Sequence, residues 1–243
     1  MSKQQNIRII LVEPTHPGNI GATARAMKNM DLSELHLVNP KLFPHVEATA
    51  RAAGADKILK NAHLHNELDE AIADCSLIIG TSARLRSLSL PLLTARESAE
   101  KIHTKHQQDK IAIIFGRESS GLNNEELYKC NYHIHIPTAE EFSSLNLAQA
   151  VQIVVYELRM ASLQYSTNIK QEYTNEKPAT AAEMEHFYQH LQKVLAEIEF
   201  LKPSHTKKML LRLRRLFNKA NLEQVELNIL EGILSQVEYK LRK

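Results

Sequence analysis

A short segment near the N-terminus combines glycines, an amide and an arginine in a spacing that suits anion binding. Gly18, Asn19 and Gly21 follow an apolar stretch, Ile7 to Val12, and open a helical pattern that includes Arg25. Glycines lack a Cβ, so the backbone can approach a ligand closely, and a helix that begins there directs free N–H groups and a positive dipole toward an anion. Arg25 lies about two turns further along and adds a fixed charge. A phosphate is therefore the first ligand that this segment suggests.

The spacing in this segment matches neither of the two commonest nucleotide-phosphate motifs. The chain contains no G-x-G-x-x-G and no G-x-x-x-x-G-K-[ST] sequence. Taken alone, the segment is equally compatible with a tight turn in which Asn19 caps the helix and Arg25 lies on a solvated face. Its function therefore depends on what the rest of the chain places beside it.

Apolar runs of strand length alternate with helical patterns through the first part of the chain. The predicted strands are Ile7 to Val12, Leu35 to Val38, Ser76 to Gly80, Ile111 to Phe115 and His133 to Ile136. The predicted helices between them are Asn19 to Met30, Val46 to Ala53, Glu67 to Ala73, Ala95 to His103 and Asn123 to Lys129. This alternation predicts an α/β fold with a mainly parallel sheet and helices on both faces.

The 243 residues divide into three regions by composition. Residues 1–163 are predicted to form the α/β domain, which a long and largely buried helix from Leu145 to Leu163 closes. Residues 164–180 are polar, contain Pro178 and have the composition of a linker. Residues 181–243 show helical patterns throughout and predict a small three-helix extension.

The second helix of that extension is strongly basic, although the net charge of the chain is only +2. Seven basic residues and no acidic one lie between Lys202 and Lys219, interleaved with leucines at helical spacing. A nucleic acid is the most frequent partner of such a helix in a soluble chain, whereas a membrane surface, a calmodulin-type partner or plain solvent are alternatives. The candidate RNA-binding residues in this helix are Lys207, Lys208, Arg212, Arg214 and Arg215.

Composition argues against several other classes of protein. The longest apolar run falls well short of the ~20 residues that span a bilayer, and the N-terminus lacks an apolar signal region, so we expect a cytoplasmic protein without membrane contact. Cys75 and Cys130 occur in unrelated contexts, which argues against a disulfide or a metal site at these residues. His133 and His135 alternate with isoleucines and are expected to be exposed strand residues. We assign no metal ligand among the twelve histidines.

The loops that follow the predicted strands are rich in small and hydroxyl residues. They are Thr81 to Arg84, Gly116 to Leu122 and Pro137 to Asn146, in addition to the first glycine segment. In open α/β sheets ligands bind beyond the carboxyl ends of the strands, so these loops are expected to meet around a polar small molecule held mainly by backbone groups. Two of these loops also have a simpler interpretation: Asn123 caps the helix after the second loop, and residues 143–146 cap the long helix.

Three of these segments together resemble the motifs of the SPOUT (trefoil-knotted) RNA 2′-O-methyltransferases. N-x-G-x-x-x-R follows the first strand, I-x-F-G-x-E-x-x-G-L lies in the middle, and I-P…S-L-N-L-A precedes the long helix, in the order of the family. The match covers about Ile7 to Leu163. The matching residues are Asn19, Gly21, Arg25, Phe115, Gly116, Glu118, Gly121, Leu122, Ile136, Pro137, Ser144, Leu145, Asn146 and Leu147.

Within that superfamily the flanking sequences and the L-N-I-L tetrapeptide at 227–230 look like those of the bacterial tRNA (cytidine/uridine-2′-O-)methyltransferases. That family methylates nucleotide 32 of the anticodon loop. The resemblance implies S-adenosylmethionine (S-adenosyl-L-methionine) as methyl donor, a deep C-terminal trefoil knot, tRNA as partner, and a homodimer whose active site takes residues from both chains. A different tRNA or rRNA ribose as substrate, or a non-catalytic RNA-binding relative, are the alternatives.

The resemblance also implies roles for individual residues. Arg25 would contact the target nucleotide, with Asn19 and Ser144 as the other groups at the catalytic centre, and Arg84 would contact RNA. Asn19 and Asn146 would support the pocket through hydrogen bonds. Because a guanidinium stays protonated at ordinary pH, electrostatic stabilisation suits Arg25 better than a role as general base. The implied cofactor-binding residues are Thr81, Ser82, Ala83, Gly116, Ile136, Ser143, Ser144 and Leu145.

Overall fold

The computed structural model describes residues 6–82, 91–106, 108–165, 177–201 and 206–242. The strands are β1 (Ile7–Val12), β2 (Glu34–Val38), β3 (His63–His65), β4 (Leu77–Thr81), β5 (Leu92–Leu93), β6 (Ile111–Phe115) and β7 (Tyr132–Ile134). They form a seven-stranded sheet in the order β3-β2-β1-β6-β4-β7-β5. Each neighbouring pair is parallel. The predicted α/β class with a mainly parallel sheet is confirmed.

Helices connect the strands and continue beyond them. They are α1 (Pro17–Asn29), α2 (Val46–Ala52), α3 (Asp56–Lys60), α4 (Leu68–Ile72), α5 (Ala95–Lys105), α6 (Asn124–Leu127), α7 (Leu147–Tyr165), α8 (Ala181–Glu197), α9 (Thr206–Ala220) and α10 (Gln224–Leu241). The short elements α3, β3 and β5 were not predicted, because two to five residues carry too little periodicity. No helix in the described ranges is long and apolar enough to cross a membrane.

Alternate residues of the central strands pack on opposite faces of the sheet. In β1, Ile9 and Leu11 belong to the larger core, which α1, α2, α5 and α7 cover, whereas Ile10 and Val12 face the smaller core beneath α4 and α6. Side chains that alternate in this way require apolar cover on both faces. The predicted arrangement of helices on both faces is therefore confirmed, while the trefoil knot stays a prediction.

The C-terminal helices α8, α9 and α10 share a core of their own and also contact the α/β part. Phe187, Val194 and Leu227 are among the residues at the centre of the three helices. At the start of α8 the amide of Ala181 donates to the carbonyl of Cys75 at 2.8 Å. In α9 the side chain of Asn218 donates to the carbonyl of Tyr128 at 3.0 Å. The predicted linker falls largely on residues 166–176, outside the described ranges.

The exposure expected of the two strand histidines is not found at His133, and the two cysteines are both buried. His133 is buried, because β7 lies between β4 and β5 and not at an edge of the sheet. The expectation of an exposed residue is wrong at this position, whereas His135 is half-buried. Cys75 and Cys130 are free and buried, and burial raises the pKa of each thiol to about 12. Both cysteines are therefore inert packing residues.

Candidate active site

The glycines of the first motif contact a neighbouring helix. A Cβ on Gly21 would lie 2.0 Å from the carbonyl oxygen of Ala48 in α2, and one on Gly18 would lie 2.7 Å from Oε1 of Glu47. The lack of a side chain at Gly21 thus permits α1 to pack closely on α2. The expectation that Gly21 brings the backbone close to a ligand is corrected: the close approach is to another part of the protein.

The start of α1 places Asn19 inside the helix. The helix begins at Pro17 with His16 in the capping position, so the interpretation of Asn19 as the helix cap is wrong. Proline is favoured at the first helical position because its missing N–H would have no partner there. The Asn19 side chain is therefore available for contacts elsewhere. Its Nδ2 donates to Oε1 of Glu118 at 3.1 Å, and its Oδ1 accepts from Nδ2 of Asn146 at 3.0 Å.

Glu118 gathers the donors at the beginning of the first motif. Its carboxylate accepts from the amide of Thr15 at 3.1 Å, from the hydroxyl of Thr15 at 3.0 Å and from the amide of His16 at 3.2 Å. Burial acts to raise the pKa of Glu118, but the hydrogen bonds from Asn19 and from these amides outweigh it and lower the pKa below its usual value. An ionised Glu118 therefore ties the loop after β6 to the start of α1.

The loop after β6 is a tight turn that neighbouring groups hold in place. A Cβ on Gly116 would lie 2.1 Å from the carbonyl carbon of Gly121, which itself has a φ of +68°. The guanidinium of Arg117 bridges Glu13 and Glu126, at 2.5 and 3.0 Å. Hydrogen bonding to Arg117 lowers the pKa of Glu13 below its usual value.

The helix that follows this loop confirms one of the simpler interpretations. The amide of Glu126 donates to Oδ1 of Asn123 at 2.8 Å, so Asn123 caps α6. Capping by Asn123 fixes the end of the loop and leaves Glu118 free to face α1.

Asn146 has both of the roles that the sequence suggested. Its Oδ1 accepts from the amide of Ala148 at 2.9 Å, which satisfies a free donor at the start of α7. Its Nδ2 donates to Asn19, as described above. The three motifs are thereby joined by one chain of hydrogen bonds, which we call the motif chain: Glu118, Asn19 and Asn146.

Several predicted cofactor residues lie at the carboxyl ends of neighbouring strands, which we call the carboxyl edge of the sheet. Because β6, β4 and β7 are neighbours in that order, Gly116, Ser82 and Ile136 all follow the carboxyl ends of adjacent strands. The amide of Ser82 donates to the carbonyl of Ile134 at 3.1 Å. Thr81 is buried and its hydroxyl donates to the carbonyl of Ile114 at 3.0 Å, so that hydroxyl holds two strands together.

The third motif, from Ile136 to Leu147, contributes the more exposed residues. Ser143 and Ser144 are exposed, whereas Ile136 and Leu145 are half-buried. The arrangement offers two apolar side chains and two accessible hydroxyls beside strand-end backbone. Ala83 and Arg84, which the sequence assigns to cofactor and RNA, lie outside the described residues.

Arg25 does not join the motif chain. Its side chain is exposed, and among the described residues it makes no hydrogen bond and no ion pair. It lies six residues beyond Asn19, which is about 9 Å along the helix and about a third of a turn away. Its charge is therefore available to a group outside this chain.

The basic helix α9 contains residues of two kinds. Lys208 and Arg212 are exposed, and Lys207, also exposed, pairs with Glu125 at 2.8 Å. Arg214 forms two hydrogen bonds to Glu185, at 2.5 and 2.8 Å, and lies 4.4 Å from the ring centre of Tyr188. The charge of Arg214 is thus already matched inside the helical unit.

A large cavity among the described residues does not coincide with this edge. It has a volume of about 1010 Å³ and lies between the α/β part and the C-terminal helices, lined among others by Asp74, Lys110, Asn131 and Glu185. No sequence pattern predicts this cavity, because its walls come from segments far apart in the chain. Its charged groups are largely paired, as Lys110 is with Asp74 at 2.7 Å.

Comparison with known proteins places both parts of the chain. The SpoU rRNA Methylase family matches residues 6–156, and the family described as tRNA methyltransferase TrmJ, C-terminal domain, matches residues 182–243. The chain is 49% identical over 239 residues to the tRNA (cytidine/uridine-2′-O-)-methyltransferase TrmJ of Photorhabdus laumondii, covering 98% of this chain and 99% of that protein.

Two solved structures are similar over almost the whole length. TrmJ from Z. mobilis ZM4 superimposes with a TM-score of 0.83 at 34% identity, covering 95% of this chain and 98% of that one. A probable methylase family protein from Haemophilus influenzae Rd KW20 has a TM-score of 0.66 at 46% identity, covering 98% of each chain.

Proposed function

The chain belongs to the SpoU rRNA methylase family and carries a TrmJ-type C-terminal domain, and on this premise we propose that it is a tRNA (cytidine/uridine-2′-O-)-methyltransferase. The single observation that supports this assignment best is the motif chain, because it links the three family motifs at the carboxyl edge of the sheet. A ribose oxygen, a methyl carbon and a sulfur must lie in line for methyl transfer, so fixed loops supply much of the rate.

S-adenosylmethionine is the methyl donor in this proposal, and the residues at the strand ends fit it. Half-buried Ile136 and Leu145 offer apolar contact to an adenine, while exposed Ser143 and Ser144 and the backbone beside Ser82 offer polar groups. When bound, the donor supplies an electrophilic methyl group. The role of this chain is to hold that group, exclude water and present the ribose hydroxyl.

Arg25 is the proposed electrostatic group. The attacking 2′-oxygen becomes more negative as its proton leaves for a phosphate or a water, and a guanidinium nearby stabilises that charge. Arg25 is exposed and has no partner among the described residues, as this role requires. Arg25→Lys keeps the charge but loses the planar fork, so we expect a large fall in kcat with unchanged folding. Near wild-type turnover in that variant would contradict the role.

A homodimer is also part of the proposal. The solvent side of α7 exposes large apolar side chains at helical spacing, namely Ile153, Tyr156, Met160 and Leu163. Because α7 packs beside α1, a second copy bound to this face would also lie near Arg25. The Arg25 side chain of one copy would then reach into the active site of the other. Tyr156→Glu is expected to give monomers in analytical ultracentrifugation. Mixed dimers of Arg25→Ala chains with Asn146→Ala chains would recover activity only if each active site takes residues from both chains.

Four cations of α9 are proposed to bind tRNA phosphates. They are the exposed Lys207, Lys208 and Arg212 and the half-buried Arg215, whereas Arg214 is engaged with Glu185. Removal of the whole extension is a poor test, since it would uncover the carbonyls of Cys75 and Tyr128 that α8 and α9 cover. Single charge removals are expected to lower tRNA affinity and the steepness of its salt dependence.

The finer target that we propose is the ribose of nucleotide 32 in the anticodon loop, in the cytoplasm. Unmodified tRNA transcripts are incubated with the protein and S-adenosylmethionine, and the nucleosides are then analysed by mass spectrometry with fragment mapping. We expect 2′-O-methylcytidine or 2′-O-methyluridine in the anticodon-loop fragment. Methylation confined to ribosomal RNA, or binding of tRNA without transfer, would contradict the proposal.

A further inference from the structure

Four side chains that can bind metals lie together on the outermost strand β3 and its neighbour β2. Glu34 and His36 alternate along β2, and His63 and His65 alternate along β3, so each pair points to one face. The parallel register places His36 opposite His63. The spacing along the chain predicted no metal site, because these pairs belong to different strands that only the fold brings together.

The ligand atoms are close enough for one ion. One donor atom from each of Glu34, His36 and His63 lies within 4.8 Å of the other two. Nε2 of His63 is 3.8 Å from Oε2 of Glu34. An ion held at about 2.0–2.2 Å from each donor in tetrahedral geometry requires separations of about 3.3–3.6 Å. His63 has room to adjust its position, because 56% of its side chain is exposed.

His65 orients the buried ligand. Nδ1 of His36 lies 2.9 Å from Nε2 of His65. With the proton on Nδ1 of His36, the lone pair of that ring is on Nε2. Metal-binding histidines commonly donate the hydrogen of their other ring nitrogen to a neighbouring acceptor in this way, and the acceptor orients the ring. Only 5% of His36 is exposed, so the surrounding residues hold its ring in place.

The neighbouring charges tolerate a cation. Arg8 is the basic group on this face, and its guanidinium forms two hydrogen bonds to the carboxylate of Asp74, at 2.7 and 3.1 Å, and one to the carbonyl of Ala71. The same carboxylate also binds Lys110 at 2.7 Å, so the charge of Arg8 is only partly offset. The carboxylate of Glu34 contributes the negative charge that a bound cation needs.

We propose that Glu34, His36 and His63 form a site for a divalent transition metal ion, with Zn²⁺ as the best match and His65 as the residue that orients His36. Two imidazole nitrogens and one carboxylate oxygen suit zinc and leave a fourth position for water. The cluster lies where β2 and β3 begin, away from the motif chain at the carboxyl edge. The ion fastens the edge strand β3 to β2.

The test uses the full-length protein without a histidine tag, freed of metal by a chelator and titrated with Co²⁺ as a spectroscopic probe. We expect one equivalent of Co²⁺ to give the intense visible absorption of a tetrahedral site, and Zn²⁺ to displace it. His63→Ala is the main variant, because its exposed position leaves the core intact. His186→Ala is the matched control, since His186 is an exposed histidine outside the cluster.

We expect His63→Ala to lose the absorption and His65→Ala to weaken binding by about 10- to 100-fold, while His186→Ala binds as the parent does. Circular dichroism confirms that each variant is folded. Absence of the tetrahedral spectrum in the parent would overturn the proposal. Equal binding by folded His63→Ala would overturn it as well.

Discussion

The substitution Glu118→Gln removes the negative charge at one end of the motif chain. The carboxylate accepts hydrogen bonds from two backbone amides, one hydroxyl and one side-chain amide, of which the amides of Thr15 and His16 lie at the start of α1. Glutamine keeps one acceptor oxygen and directs an NH₂ group at donors. The substitution therefore leaves at least one amide without a partner and no negative charge near the positive end of the helix.

The expected cost follows from these contacts. A hydrogen bond to a charged group contributes about 1.5–3 kcal/mol, against about 0.5–1.5 kcal/mol for a neutral one, and the helix dipole adds about 0.3–1 kcal/mol. Because Glu118 is only half-buried, we expect the lower end, about 2 kcal/mol. For a chain of 243 residues this is a fall in Tm of about 4–8 °C.

The pH dependence gives an independent check. The pKa of Glu118 is lowered in the folded protein. Its stabilisation is therefore complete above the pKa of an unfolded glutamate, about 4.3, and is lost as the pH falls through the folded-state pKa. The difference in stability between the parent and Glu118→Gln should be constant from about pH 6 to 8 and should shrink below about pH 4.

The assay is urea unfolding at a fixed protein concentration, followed by methylation kinetics on tRNA. Glu140→Gln is the matched control, because Glu140 is exposed and has no partner in the described residues. We expect kcat/KM to fall by about 10- to 100-fold in Glu118→Gln, since the motif loops lose their alignment. Equal stability of parent and variant at pH 7, or a difference that does not shrink in acid, would refute the reasoning.

Further predictions concern packing and charge. Gly21→Ala places a Cβ 2.0 Å from the carbonyl oxygen of Ala48, so urea unfolding should show a loss of about 1–3 kcal/mol or more. Gly232→Ala in α10 meets no atom within 4 Å and should instead gain about 0.5–1 kcal/mol. Arg214→Ala removes the bonds to Glu185 and should lower the Tm. Lys208→Ala should leave the Tm unchanged and reduce the salt slope of tRNA binding by about 0.7–1.

The sequence predicted the elements of the fold better than it predicted the contacts between them. Long apolar runs such as Ile111–Phe115 matched their strands, because a buried parallel strand has an unambiguous composition. The strand order was out of reach, since it depends on which runs pair across the sheet. The burial of His133 shows the consequence: an alternating pattern indicates a half-buried strand, but the neighbours of β7 on both sides cover it.

The candidate site was recognised as a set of motifs, whereas the bonds that unite it became visible only in the folded chain. Asn19 and Asn146 were expected to support a pocket, and the structure joins them directly. The role of Glu118 was not defined by the sequence, because no residue spacing predicts the hydrogen-bond partners of a carboxylate in a loop. Arg214 was grouped with the other cations of α9, since a helical pattern cannot show that Glu185 lies opposite.

Methylation of a tRNA with a 2′-deoxyribose at nucleotide 32 tests the central claim most directly. Two tRNAs that differ only in the 2′-oxygen of that nucleotide are incubated with the protein and labelled S-adenosylmethionine, and transfer of label to RNA is measured. We predict full incorporation into the tRNA with ribose at that position and none into the deoxy form, which binds equally well. Equal incorporation into both would contradict the account.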